Sequence, residues 1–149
     1  MAASFTYIAE AYWEAGNYEK GMRVVDWLNN INGKLSGGWF EYYPKGQPGV
    51  GIVAWTWMEC IRLTVHHMLG VQPHPDRLVI RPRPAPGMKN VKARIRVRDT
   101  QYAINVRIGG SKTGAKVESR RVTMRDGALT IPHSRKSKST IEINFPSAE

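Results

Sequence analysis

VKARIRVRDTQYAINVRI, Val91 to Ile108, is the stretch that decides the fold. Val91, Ala93, Ile95 and Val97 alternate with Lys92, Arg94, Arg96 and Arg98. A period of two puts the apolar set on one face of a strand and the cationic set on the other. Asp99-Thr100 turns the chain, and Tyr102, Ile104, Val106 and Ile108 resume the alternation, so the spacing predicts an antiparallel hairpin. Further strands are predicted over residues 77–81, 115–123, 128–131 and 140–145. Arg125-Asp126-Gly127 reads as a turn, and Ser134 to Ser139 (SRKSKS) as an exposed loop. Six or so strands of this kind make a small antiparallel β-sandwich, with one side of each sheet on a core and the other in water.

Working back towards the N-terminus, Pro73, Pro75, Pro82, Pro84 and Pro86 stiffen a connection, and before it the period changes to that of helices. Phe5, Ile8, Ala9 and Tyr12 share one helix face, and Gly16-Asn17 ends that helix. A second helix runs from about Tyr18 to Ile31, with Met22, Val25, Leu28 and Trp27 towards a core. So short a link makes the two an antiparallel hairpin. The segment AYWEAGNYEKGM (Ala11 to Met22) has the small-residue spacing of a tetratricopeptide hairpin, but such repeats need about three copies and only one is visible. A third helix starts after Gly51, with Ala54, Met58, Ile61, Val65 and Met68 as its apolar face and Leu69-Gly70 as its stop. The expected fold is therefore α+β: a helical segment over residues 1–70 and a β-sandwich over 71–149. The first helix begins almost at Met1 with nothing before it, as expected of part of something longer.

Charge follows the same division. Of 22 Lys+Arg and 12 Asp+Glu, residues 1–70 hold 5 and 6, which leaves 17 and 6, or net +11, for residues 71–149. A basic half raises nucleic acid or an acidic surface as partner, but the charges alternate along predicted strands, which a solvated sheet face explains equally well. No aromatic residue accompanies Lys92, Arg94, Arg96 and Arg98 to stack bases, so nucleic acid ranks low among partners. The single cysteine, Cys60, has no internal disulfide partner and reads as a small core residue. No basic segment leads into an apolar run at the N-terminus, so no signal peptide is read and the cytoplasm is the expected location. No stretch of about 18 apolar residues exists to cross a membrane.

Two motifs fail on inspection. Gly110-Ser111-Lys112-Thr113 lacks the lysine directly after a second glycine that a phosphate loop needs. His66 and His67 are adjacent on a helix and so point about 100° apart, which suits no shared ion; no metal and no cofactor is expected. The cluster that remains is WFEYYPKGQPGVGIVAWTW, Trp39 to Trp57. Its aromatic faces beside one carboxylate, Glu41, suit a sugar ring. Trp39, Tyr43, Gln47 and Trp55 are the candidate sugar contacts. Inverting hydrolysis of a glycoside needs a second carboxyl roughly 6.5–9.5 Å away. Glu59 sits in an apolar run and Glu10 and Glu14 lie on the first helix, so no acid–base pair is evident and enzyme activity in this chain alone stays open.

The order of these elements resembles the C-terminal end of the six-hairpin glycosidases. The order is helical hairpin, then Glu41 and Tyr43 before Gly46, then Trp55-Thr56 opening the last helix, then Asp76, Leu78, Ile80 and Pro82 leading into strands. These (α/α)6-barrel hydrolases and phosphorylases include rhamnosidase-like, glucoamylase-like, trehalase-like and maltose-phosphorylase-like families, and the likeness covers roughly residues 1–108. It implies that the three helices are part of a twelve-helix toroid and that Asp76 to Ile108 begins the β-sandwich that follows the barrel. It implies a catalytic-base role for Glu41, with the general acid on a middle hairpin that has no counterpart here. The expected function is thus a fragment or subunit of a carbohydrate-active enzyme, inactive alone, with an oligosaccharide and either the missing barrel portion or a second copy as partners. A stand-alone carbohydrate-binding or interaction protein is the alternative, and a basic nucleic-acid-binding protein the second alternative.

Overall fold

The computed structural model describes the backbone of residues 2–32, 40–42, 50–52, 54–110 and 113–146, and the side chains of residues 6–30, 58–110 and 113–146. The fold is α+β and divides into two compact units, Met1–Met68 and Leu69–Glu149.

In the first unit, α1 (Ala2–Glu14) and α2 (Tyr18–Asn32) form a hairpin. Gly16 turns between them at φ 75°, and the Asn17 side chain accepts the Lys20 amide at 3.3 Å, capping α2. The buried side of α1 is Thr6, Ala9, Glu10 and Trp13; of the expected face Ala9 is buried, Tyr12 is half-buried and Ile8 is 43% exposed, while the Phe5 side chain lies outside the described residues. Trp13 dictates the rotation. It is the bulkiest buried side chain among the described residues, and it lies over Gly21 of α2, where a Cβ would come within 2.6 Å of the indole. On α2 Leu28 is buried, and Trp27, one residue or about 100° around the helix, is 42% exposed rather than in the core.

Strands β1 (Phe40–Tyr42) and β2 (Val50–Ile52) pair antiparallel, Tyr42 opposite Val50, and β1 lies against α1. Next comes α3 (Ala54–Arg62), which widens into a π-helical turn over Leu63–Met68. Part of the expected apolar face of α3 turns outward: Met58 and Ile61 are 62% and 61% exposed and Val65 and Met68 half-buried, while Glu59 and Leu63 are buried. A set of polar bonds described below holds α3 in that orientation.

The second unit is two sheets. Gly70 adopts φ 71° at its start, and a Cβ there would sit 1.8 Å from the Arg81 carbonyl oxygen, so only glycine fits. Strands β3 (Val71–Pro73), β4 (Arg77–Ile80) and β9 (Leu129–Pro132) make the smaller sheet. The larger holds β5 (Asn90–Val97), β6 (Thr100–Gly110), β10 (Lys138–Pro146), β7 (Gly114–Val117) and β8 (Arg120–Val122), in that spatial order. Leu78, Ile80 and Leu129 of one sheet and Tyr102, Ile104, Val106, Ile141 and Ile143 of the other are buried, the alternation that builds a sandwich-like core.

Three details depart from expectation. β10 runs parallel to β6, so the sheet is mixed rather than purely antiparallel. The single strand expected over residues 115–123 is a hairpin, β7–β8, turned by Glu118 and Ser119 at φ 49° and 65°. Both residues are left-handed, the geometry of a type I′ turn, and a Glu-Ser pair carries none of the Asn-Gly signal by which such turns are recognised. The Ser134–Ser139 segment is an exposed loop only as far as Ser137; Lys138 and Ser139 already belong to β10, and the loop is tied down. Thr100 Oγ1 donates to the carbonyls of Ser134 and Lys136, and Ser139 is buried in β10.

Candidate functional site

The helical period places Glu10 and Glu14 one turn apart on α1, and α3 with its π-helical turn brings Glu59, Arg62 and His67 to meet them. Arg62 Nε donates to Glu59 Oε2 at 2.7 Å and to Glu10 Oε1 at 3.1 Å, and its Nη2 donates to Glu10 Oε2. His67 Nδ1 lies 2.8 Å from Glu14 Oε1. The Tyr7 hydroxyl donates to Glu59 Oε1 at 3.2 Å, and the Arg62 guanidinium stands 5.3 Å from the Tyr7 ring centre. A regular α-helix advances 100° per residue, and the wider π turn changes where His67 emerges.

Burial pushes the Glu10 carboxyl above its ordinary range, against the pull of Arg62 and His67. The hydrogen bond to Glu59 raises the Tyr7 phenol. One guanidinium thus serves two carboxylates from two helices. The sequence offered Glu59, in an apolar run, and Glu10, on the first helix, only as poor second carboxyls for Glu41; the fold brings the two to the same cation. Both carboxylates accept from Arg62, so they are engaged in a contact within the helical unit rather than offered to a substrate. The arrangement clamps α3 to α1 instead.

The five candidate residues from sequence sit nearby in the chain. Glu41 is the middle residue of β1, between the two positions that pair with β2, and β1 rests on α1. Trp55 is the second residue of α3. The side chains of Glu41 and Trp55, and Trp39, Tyr43 and Gln47 entirely, lie outside the described residues. Among the described residues no group of three or more His, Cys, Asp or Glu is placed to hold a metal ion, and no helix is long and apolar enough to cross a membrane.

The second unit holds a groove of about 720 Å³ between β7–β8 and the β9 end. Val122 and Ile131 contribute apolar surface, while Glu118, Arg120, His133 and Lys136 add charge and hydrogen-bonding groups. Glu118 is committed to structure. Its carboxylate accepts the Thr140 amide at 2.8 Å and faces Lys136 Nζ at 3.4 Å, and these contacts hold it below its ordinary range, the Thr140 amide most of all. His133 Nε2 lies 2.7 Å from the His74 carbonyl, which assigns the proton to Nε2. This groove was invisible in the sequence because it depends on the unforeseen β7–β8 turn.

Compared with known proteins, the chain matches no family model, and no curated protein matches it.

Proposed function

We propose that this chain acts as the closing segment of a carbohydrate-active enzyme of the six-hairpin glycosidase kind. In this reading its helices complete a partial (α/α) ring, and the β1–β2 hairpin offers Glu41 to a bound oligosaccharide. The observation that carries the reading is large apolar side chains left open on the helices: Ile8 of α1 is 43% exposed, and Met58 and Ile61 of α3 are 62% and 61% exposed. Met58 and Ile61 are three apart and share one face of α3, the face that the sequence pattern marks for burial. Burying each such side chain is worth about 1.5–3 kcal/mol, so a neighbouring helix or a second copy is strongly favoured there.

The chemistry follows from the parts. Glu41 serves as the carboxylate that activates water, Trp39, Tyr43 and Trp55 stack on the sugar, and Gln47 bonds its hydroxyls. The general acid comes from another part of the ring, and the chain alone does not hydrolyse glycosides. The Glu10–Arg62–Glu59 clamp has a role in this scheme: it fixes α3 against α1, the helix on which β1 rests.

Titration with neutral and acidic oligosaccharides, followed by tryptophan fluorescence, tests the proposal, with light scattering on the same samples. Expected are a saturable response that Trp39→Ala and Trp55→Ala abolish, and a mass above the monomer. A monomer that ignores every glycan overturns the reading.

A further inference from the structure

We propose that the outer face of the five-stranded sheet binds double-stranded nucleic acid through its phosphates. The proposal stands independently of the glycosidase reading.

The sequence shows one basic row on β5, and the register extends it across the sheet. Arg96 faces Gln101, which faces Lys138. Lys92 faces Asn105, then Glu142, then Lys116, then Arg121 on β8. Arg94 lies between these rows, opposite Ala103, and Arg107 pairs with Asn90 and Asn144. Period-two alternation puts all of them on the side opposite the buried Tyr102, Ile104 and Ile141. Among the described residues seven cations therefore share a face with one acid, Glu142. All seven are exposed, and none has an ion-pair partner among the described residues. Arg98 leaves the row: it turns at φ 54° and bonds the Pro75 carbonyl.

Apart from the Glu142–Lys116 pairing, folding gains little from this pattern. Lys116 and Arg121 stand directly opposite each other, and Lys92, Arg94 and Arg96 repeat along one strand about 6.8 Å apart, arrangements that repel. An anionic partner relieves that repulsion. The breadth of the patch selects which one. From β5 to β8 is four strand spacings, about 19 Å, which a single extended polyanion cannot cover. A duplex presents two phosphate strands with one charge per about 1.7 Å of axis, enough to meet every row. Tyr102 points to the core, so no aromatic is available to stack an unpaired base or a sugar ring. Gln101, Asn105 and Thr140, neutral groups of the kind that contact phosphate, stand among the cations. The predicted binding is sequence-independent.

Fluorescence anisotropy of a labelled duplex with the full chain, over a salt series, tests this. Lys92→Gln/Arg94→Gln/Arg96→Gln is expected to reduce the slope of log K against log salt by about 2.7, at roughly 0.9 per phosphate contact. Lys116→Gln/Arg121→Gln at the other edge is expected to reduce it by about 1.8 on the same basis. Arg23→Gln/Arg125→Gln/Arg135→Gln removes equal charge elsewhere and is expected to leave the slope unchanged. The proposal fails if the control loses as much as the first variant, since only net charge then matters. It fails equally if a polyuronate or phosphatidylserine vesicles outcompete the duplex at equal charge, since the face then belongs to an acidic polysaccharide or a membrane.

Discussion

Replacing Arg62 by methionine removes the cation that two buried carboxylates share while keeping the apolar stem. The Glu10 and Glu59 side chains are only 8% and 12% exposed, whereas that of Arg62 is 44% exposed. Breaking a fully buried ion pair costs about 3–5 kcal/mol. Water around the half-exposed guanidinium already screens part of this interaction, so the cost at neutral pH should be about 2 kcal/mol. The loss depends on pH with a definite sign. Glu10 in the folded chain already titrates above 4.5, chiefly through burial, with Arg62 opposing the rise. A carboxyl raised on folding favours the native state while protonated, and that benefit is lost as pH rises through the folded value. Without Arg62 the folded value rises further, so the deficit against the parent should be small near about pH 4 and largest near about pH 7. All five tryptophans lie between residues 13 and 57, so tryptophan fluorescence during urea unfolding reads the helical unit alone. Arg62→Met/Glu10→Gln should recover most of the loss at neutral pH. A deficit below about 0.5 kcal/mol at neutral pH, or one that does not change with pH, would refute the clamp.

Gly70→Ala should destabilise the β unit by about 3 kcal/mol or more, because left-handed backbone strain adds to a collision with Arg81; faster amide exchange at Leu78 and Ile80 would report it. Gly21→Ala should cost about 1–3 kcal/mol by overpacking Trp13, and less in a Trp13→Leu background; equal costs in both would show that the indole is not the obstacle. Ser119→Gly should stabilise the β7–β8 turn by about 0.5 kcal/mol, read as a raised urea midpoint by circular dichroism. Glu118 titrates below 4.5 in the folded state, so its contribution is present above that pH and lost as pH falls through the folded value. The Thr140 amide resonance should follow that titration, and Glu118→Gln should remove it.

The strands were legible where one face was apolar and the other charged, as at Val91–Ile108, because burial enforces period two. The helices were legible in extent but not in rotation. On α1 and α3 the interior is claimed by Trp13 and by two glutamates, and a hydrophobic pattern cannot foresee that a carboxylate goes inside when its cation comes from another helix. The β7–β8 hairpin was missed because its left-handed turn residues are Glu118 and Ser119, and the parallel β6–β10 pairing because no local pattern encodes which distant strands meet. The Glu10–Arg62–Glu59 cluster spans 52 residues of sequence, and its only trace was a glutamate in an otherwise apolar helix.

The placement of β10 bears on how the chain is made. It follows the other four strands of its sheet in the chain, yet it is their middle plank, with β6 on one side and β7 on the other. Until Lys138–Pro146 emerges, two finished hairpins wait with bare hydrogen-bonding flanks and no common neighbour. Nascent chains halted before that point should be sticky and short-lived, and the larger sheet should form in one late step rather than strand by strand.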